Sequence, residues 1–476
     1  VFSVARKYPQ AENFTHVLGY VAEASIKDIN NYSFIKDNHV PGLRVGKTGL
    51  EKALEQELIG ASGLQSYEVN AHGKRIKQID RIEGIQGKNF RITIDQEVQR
   101  YAQELLIGRS GSINVMDIYT GDMIAMGSSP TFDPNLFVHG INRKNWNELI
   151  EHRDKPLINK SIAGLYPPGS TIKMLATISA LENDVFNPKT VIRCKGSIEL
   201  HGEKFHCWKK KGHGYMDMRE GIKQSCDIYF YEVARKLGID RLSETAKKFG
   251  LGNNVLKGFI EEKKGVVPNT KWKKKNIGKN WYLGETLHAG IGQGYWQTSP
   301  LQLCLMTAQI ANGGYKIKPR IVFNDNKKDD FKDLNQFIEY KKTVSDNEFS
   351  LYEFIEKFKY ESLFKNPENI KFVQDALFAA TNEPGGTSYG SRLTKDGFIF
   401  AGKTGTSQVK RFTEEQRELE IKNEDLPYKD RDHALFVAFA PYNDPRYAIS
   451  VVIEHGGSGS KSAAPIAKKV IKKILE

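Results

Sequence analysis

The sequence predicts an α+β protein in which helices flank a central antiparallel sheet and a smaller, extended domain precedes it. Two groups of strands at opposite ends of the larger region carry that expectation, with a long, mostly helical stretch between them. Ile113 to Ile118 and Met123 to Met126 enclose Tyr119-Thr120-Gly121-Asp122, the pattern of a β-hairpin. Gly397 to Ser407, Ala434 to Ala440 and Tyr447 to Glu454 form the second group, the last two joined by Asn443-Asp444-Pro445. At 476 residues the chain exceeds one ordinary core, so two domains are expected, 1–88 and 89–476.

In chain order, residues up to about Gly87 mix short helical and polar segments, with a short helix from Leu50 to Leu58. Asn89 to Asp95 reads as a strand, followed by a helix through Val98, Ala102 and Leu105, and the domain boundary is set there. Pro167-Pro168-Gly169 punctuates the chain before a helix that starts at Ser170, because Met174, Leu175, Ile178 and Leu181 recur at helical spacing. Residues 324 to 365 are rich in Lys, Asp and Glu and predict a surface insertion. Ala463 to Leu475 predicts a closing helix.

The net charge of +13 gathers in runs such as Lys209-Lys210-Lys211 and Lys273-Lys274-Lys275. These lack the aromatic interleaving or helix-turn-helix context of a nucleic-acid reader, so anionic lipid or a pyrophosphate-bearing substrate suits the charge better. With 27% charged residues and no run of eighteen apolar ones, the chain is expected to be soluble. It begins at Val1 rather than Met, so loss of a preceding segment is expected.

Chemistry concentrates in three short segments. Ser170 and Lys173, three apart, share a helix face, so the amine can take the hydroxyl proton and create a nucleophile without histidine. At a helix start, Ser170 also lies at the positive end of the dipole. Ser225-Cys226-Asp227 precedes the apolar run Ile228 to Tyr231, and Lys403-Thr404-Gly405-Thr406 ends an apolar strand. The order SxxK, S-x-D, KTG is a specific combination where a lone SxxK is not. Gly397 to Thr404 also fits GxxxxGK[ST], but a phosphate loop needs a strand before and a helix after, and neither is predicted here. His455, and His433 beside Asp432, read as structural. Cys304 reads as simply buried.

On these motifs the chain resembles the penicillin-binding proteins, over nearly its whole length. Gly290-Ile291-Gly292-Gln293-Gly294, Asn382-Glu383-Pro384-Gly385-Gly386-Thr387 and Ala401-Gly402-Lys403-Thr404-Gly405-Thr406 are similar to that family. Asp227, His16 to Tyr20 and Asp133 to Phe137 resemble its elongation-type class B members. The resemblance implies a transpeptidase domain on an N-terminal pedestal, and a DD-transpeptidase that cross-links peptidoglycan stem peptides and is acylated by β-lactams. Ser170 would be the nucleophile and Lys173 its base, with a basicity lowered by burial and by Lys403 as a second cation. Ser225 would relay the proton, Asp227 would support Ser225, and Thr404, Gly405 and Thr406 would hold the substrate, the two hydroxyls on its carboxylate. Backbone N–H groups of Ser170 and Thr406 would form the oxyanion hole. A β-lactamase or β-lactam sensor is the alternative, although no Glu-x-x-Leu-Asn follows the second motif. The implied partners are the shape-determining protein MreC and a glycosyltransferase of the RodA type. The implied location is the periplasmic face of the cytoplasmic membrane, held by a single-pass helix preceding this chain.

No cofactor is required for this chemistry. Cys194, Cys207, His213 and Cys226 nevertheless offer three thiolates and an imidazole, a closed set for structural zinc, with His201 and His206 in reserve. A Cys194 to Cys207 disulfide and unpaired thiols are the alternatives. Some members of the resembled subgroup carry zinc near this motif, which points to His213 and Cys226 as ligands.

Overall fold

The computed structural model describes residues 5–40, 42–323, 361–410, 416, 419 and 421–476. The expected insertion at 324 to 365 lies mostly outside them. The chain forms two compact units, one of Val1–Ile92, Thr131–Leu157 and Lys257–Glu261, the other of the remainder. A single cut after residue 88 misses the two later segments that join the first unit. Asn135 explains one of them, because its amide donates to the Tyr8 carbonyl at 3.1 Å and its Oδ1 accepts from the Tyr8 N–H at 3.0 Å.

The first unit contains helix α1 (Ala11–Leu18), the short pair β1 (Val21–Glu23) and β2 (Arg44–Gly46), and the hairpin β3 (Leu64–Val69) and β4 (Arg75–Ile82). The helix expected over Leu50 to Leu58 is broken into Gly49–Ala53 and Glu55–Leu58.

In the second unit, Asp95 caps helix α2 (Gln96–Leu106) by accepting from the Val98 N–H. The strand expected at Asn89 to Asp95 is absent. Thr93 instead donates its N–H to Ile321 O, and its hydroxyl to Met123 O, so its backbone is satisfied by crossing a sheet edge. Strands β5 (Gly111–Asp117) and β6 (Met123–Ser129) form the predicted hairpin. Helix α3 (Lys173–Glu182) follows, then two minor ribbons: β7 (Ile192–Cys194) with β10 (Gly214–Met216), and β8 (Ser197–Leu200) with β9 (Glu203–His206).

Helices α4 (Met218–Lys223), α5 (Asp227–Leu237), α6 (Leu283–Gly290), α7 (Pro300–Ala311) and α8 (Pro367–Asn382) are among those that follow. Strands β11 (Ala401–Ser407), β12 (His433–Ala440) and β13 (Tyr447–Ile453) then join the first hairpin in one antiparallel sheet of order β11-β12-β13-β5-β6. Gly397 to Phe400 stay outside it, because Ala401 pairs with Phe439 and Pro441, lacking an N–H, cannot extend the ladder.

One face of the sheet packs on α2 and the closing helix α9 (Ala464–Leu475) through Ala102, Leu106, Phe436, Val451, Val470 and Ile471. Every residue of α7 is buried, and its Cys304 thiol lies 3.5 Å from Ala448 O and 3.8 Å from Asn114 O. A sheet enclosed in this way holds its strands in register by core packing rather than by turns alone.

Candidate active site

Pro168 leads into a tight 3-10 turn, Gly169–Ile172, which passes into α3 at Lys173. Ser170 therefore occupies the first turn without acting as a side-chain cap, a correction to the expected helix start. Gly169 has φ +53°, and a Cβ built there would lie 2.5 Å from Thr406 O. Only glycine lets the turn meet β11 so closely. Gly169 also donates its N–H to Gly292 O at 3.0 Å, which ties the turn to the Gly290 to Gly294 segment.

The second motif sits between α4 and α5. Ser225 has φ +55°, a left-handed conformation that costs a non-glycine residue about 1 kcal/mol or more. Lys173 Nζ helps to offset that cost by donating to Ser225 O at 3.0 Å and to Ser225 Oγ at 3.3 Å. The same ammonium donates to Asp227 Oδ1 at 2.7 Å. Asp227, expected to support Ser225, is thus the direct ion-pair partner of Lys173. Burial raises the Asp227 carboxyl above its ordinary range, with Lys173 pulling it back.

On β11, Lys403 is fully buried and its Nζ donates to Thr404 O at 3.1 Å. Burial and the Lys173 ammonium push Lys403 well below the usual lysine range, against a smaller opposing pull from Asp227. Lys173 has Asp227 as an ion-pair partner, whereas among the described residues no carboxylate hydrogen bonds to Lys403.

The three motifs meet at one cavity of about 340 Å³, lined by Ser170, Ser225, Asp227, Thr404, Gly405 and Thr406 among others. Lys173 and Lys403 are both fully buried behind that wall. Three further side chains at the cavity were not assigned from sequence. Gln293 donates Nε2 to Thr406 O at 2.9 Å, and Thr404 Oγ1 donates to Thr387 Oγ1 at 3.0 Å. Both belong to segments quoted above for their resemblance, so the signal was present without a role attached. The third, Trp208, had only its place beside Cys207 to mark it. It donates its backbone N–H to Asp227 Oδ2 at 2.9 Å and its indole N–H to Ser225 O at 3.0 Å. His433 and His455 pair with each other, the His455 N–H donating to His433 Nδ1 at 2.9 Å.

Cys194, Cys207, His213 and Cys226 converge, with one ligand atom from each lying within 4.8 Å of all the others. Tetrahedral zinc with Zn–S of about 2.3 Å would need separations near 3.8 Å, so the donor set fits with small closure. His213 Nδ1 faces Cys207 Sγ at 3.4 Å and Cys194 Sγ at 3.6 Å. Its Nε2 is buried without a hydrogen-bond partner. Both Cys194 and Cys207 are free, so the alternative disulfide is not formed. A hydrogen bond from the Cys226 thiol lowers Cys207 and raises Cys226, the coupling expected of thiols crowded into one site.

Comparison with known proteins agrees with this geometry. The penicillin binding protein transpeptidase domain matches residues 111–472, and the penicillin-binding protein dimerisation domain matches residues 2–92. Peptidoglycan D,D-transpeptidase MrdA of Salmonella typhimurium is 33% identical over 477 residues, covering 99% of this chain and 73% of that protein. Its namesake in Acinetobacter baumannii is 35% identical, over 98% of this chain and 65% of its own. Among solved structures, the complex of penicillin-binding protein 2 with MreC from Helicobacter pylori matches with TM-score 0.82 and 30% identity, covering 99% of this chain and 78% of that one. Pseudomonas aeruginosa penicillin-binding protein 2 in complex with WCK 5153 matches with TM-score 0.79 and 33% identity, over 98% and 90%.

The fold and the matched domain define a serine acyl-transferase. The chain belongs to the penicillin-binding protein family, and it is an enzyme of the peptidoglycan D,D-transpeptidase class in which the penicillin-binding protein 2 relatives fall.

Proposed function

We propose that this chain cross-links peptidoglycan stem peptides during cell elongation through an acyl-enzyme at Ser170, and that β-lactams trap it at the same step. The supporting observation is the cavity in which Ser170, Ser225 and Thr404 to Thr406 face one another in front of two buried lysines. Thr404 and Thr406 hold the terminal carboxylate of a D-Ala-D-Ala stem, and Gly405 lets β11 pass close to the serine turn, where a Cβ would lie 3.1 Å from Pro168 O and from Thr171. A proton passed from Lys173 Nζ to Asp227 Oδ1, which accepts from it at 2.7 Å and whose carboxyl burial raises, leaves a neutral amine at Lys173.

Lys173 then takes the Ser170 proton as Oγ attacks the penultimate carbonyl carbon. The N–H groups of Ser170 and Thr406 stabilise the oxyanion, each donor supplying about a hundredfold or more in rate. Collapse breaks the C–N bond, Ser225 relays the proton to the departing D-alanine amine, and an ester on Ser170 remains. The amine of a second stem attacks that ester, the C–N bond of the cross-link forms, the C–O bond breaks, and the amine proton returns to Ser170 Oγ.

Labelling with fluorescent penicillin tests the assignment. Wild type acquires a long-lived covalent label and Ser170→Ala acquires none, whereas equal labelling refutes the nucleophile. Rapid loss of the label with drug hydrolysis would favour a β-lactamase.

The four-residue cluster is proposed to hold a structural Zn²⁺ through Cys194, Cys207, His213 and Cys226. With four protein ligands it leaves no open position and takes no part in the chemistry. It would fix the turn that carries Ser225, since Cys226 follows that residue directly. Less than about a tenth of an equivalent of zinc in protein purified without chelator would exclude the site, given how tightly structural zinc binds.

No helix among the described residues is long and apolar enough to cross a membrane. A single-pass helix preceding this chain is proposed to anchor it to the cytoplasmic membrane, with catalysis in the periplasm. The N-terminal domain, 1–88, is proposed to receive MreC, and a RodA-type glycosyltransferase to supply the glycan. Support comes from the solved MreC complex of the Helicobacter pylori relative and from a matching peptidoglycan synthase complex.

A further inference from the structure

Helix α4, which leads into the second motif, also reaches across to the end of α8. Its Arg219 grips two carboxylates there. Nε donates to Asp375 Oδ2 at 2.5 Å and Nη2 to Asp375 Oδ1 at 3.4 Å, while Nη1 and Nη2 donate to the two Glu383 oxygens at 3.1 and 2.6 Å. Lys223, one turn further along the same face of α4, adds an ion pair to Glu383 at 3.1 Å. Glu383 closes α8, and the chain then folds back on both helices. The Gly386 N–H donates to Glu383 O at 3.1 Å, the Thr387 N–H to Lys223 O at 3.2 Å, and the Ser388 N–H to Ala380 O at 3.0 Å. Thr387 is thereby held at the catalytic cavity, where its Oγ1 accepts from Thr404 Oγ1.

We infer that Arg219 is a positioning residue for the donor substrate: acting through Glu383, it holds Thr387 where that side chain orients the Thr404 hydroxyl toward the donor's terminal carboxylate. The inference rests on the carboxylate contact proposed above for Thr404. Three features carry it. Glu383 meets both cations of α4 and is joined to Thr387 by a closed turn, so a shift of its carboxylate moves the Thr387 hydroxyl. A guanidinium fork satisfies Asp375 and Glu383 together, which an ammonium, a point charge, does not. Without the fork the two carboxylates repel each other and the turn loses its anchor. Lastly, hydroxyls 3.0 Å apart donate in either sense, because each rotates. When Thr387 donates to Thr404, the Thr404 proton is released to a carboxylate oxygen. The side chains of Arg219, Glu383 and Asp375 are 30%, 31% and 47% exposed, a setting in which ion pairs add little to stability. The service of this cluster is therefore to geometry.

The test compares acylation of the full chain by benzylpenicillin, whose free carboxylate stands for that of the stem, with acylation by its methyl ester. Arg219→Lys keeps the charge and loses the fork, and Thr387→Val keeps the shape and loses the hydroxyl. In each, the acylation rate constant for the free acid is expected to fall about tenfold, while that for the ester changes by less than about twofold. The double variant should lose no more than either single one, because the two residues act in series. Glu383→Gln, which keeps the side chain's shape and weakens its hold on both cations, repeats the test should Arg219→Lys fold poorly. Equal losses with acid and ester in the ion-pair variants overturn the inference, since they report a general structural effect. So does an unchanged preference for the free acid in Thr387→Val. Wild-type protein that benzylpenicillin does not acylate at Ser170 refutes the catalytic reading itself, and wild type that takes acid and ester equally refutes the carboxylate contact of Thr404.

Discussion

The central sheet and the β3–β4 hairpin are both antiparallel ladders, yet they treat their apolar side chains in opposite ways. Every residue of β5 and all of β12 after His433 are buried, whereas no residue of β4 is. Ile76, Ile79 and Ile82 on that strand are 63%, 67% and 55% exposed, too much apolar surface for a two-stranded ribbon to cover by itself. The sheet, packed between its helices, holds Lys403 and Thr404 in register, as a preorganised site requires. The hairpin offers a surface to something else, in keeping with a domain proposed to receive a partner.

Four measurements sharpen or break that contrast. Lys173→Met, which removes the amine from the buried site, is expected to slow acylation by roughly 10² to 10⁴-fold in stopped-flow assays. A loss below tenfold would shift the base role to Lys403. Phe436→Ala, at a fully buried position on β12, should cost about 3–5 kcal/mol in denaturant unfolding.

Third, the two units should respond to pH with opposite sign. Burial, aided by Glu51, raises Glu55 in the first unit from 4.5 to about 7, so its folded form holds a proton that the unfolded chain has released. Its contribution is complete below about pH 4.5 and is lost as pH rises toward 7. The full shift corresponds to roughly 3 kcal/mol, and Glu55→Gln should remove the dependence. In the second unit Arg219 and Lys223 hold Glu383 down at about 2, so its contribution is present above pH 4.5 and is lost as pH falls toward 2. Hydrogen exchange followed within each unit checks both directions. The smallest effect is expected from Ile79→Ser in the hairpin: under about 0.5 kcal/mol on stability. A cost near that of Phe436→Ala would mean that the hairpin already has a core of its own.

Where the sequence succeeded, it did so through local chemistry. The β5–β6 and β12–β13 pairs declared themselves by turn residues between apolar runs, and the three motifs that meet at the cavity by residue type and order. It failed at Asn89 to Asp95 and Gly397 to Phe400, which have strand-like composition. One is drawn across a sheet edge, and the other precedes a register that begins opposite Phe439. Trp208 and Thr387 went unassigned because their significance lies wholly in contacts with residues distant in the chain.

The sequence by itself determined the α+β class, the paired strands and which side chains could supply nucleophile, base and carboxylate contacts, since propensity and functional group are properties of short segments. Only the tertiary structure decided that Lys173 meets the Asp227 carboxylate and that burial lowers the basicity of Lys403. That depends on burial and on separations of a few ångströms between chain-distant atoms. Local sequence encodes neither.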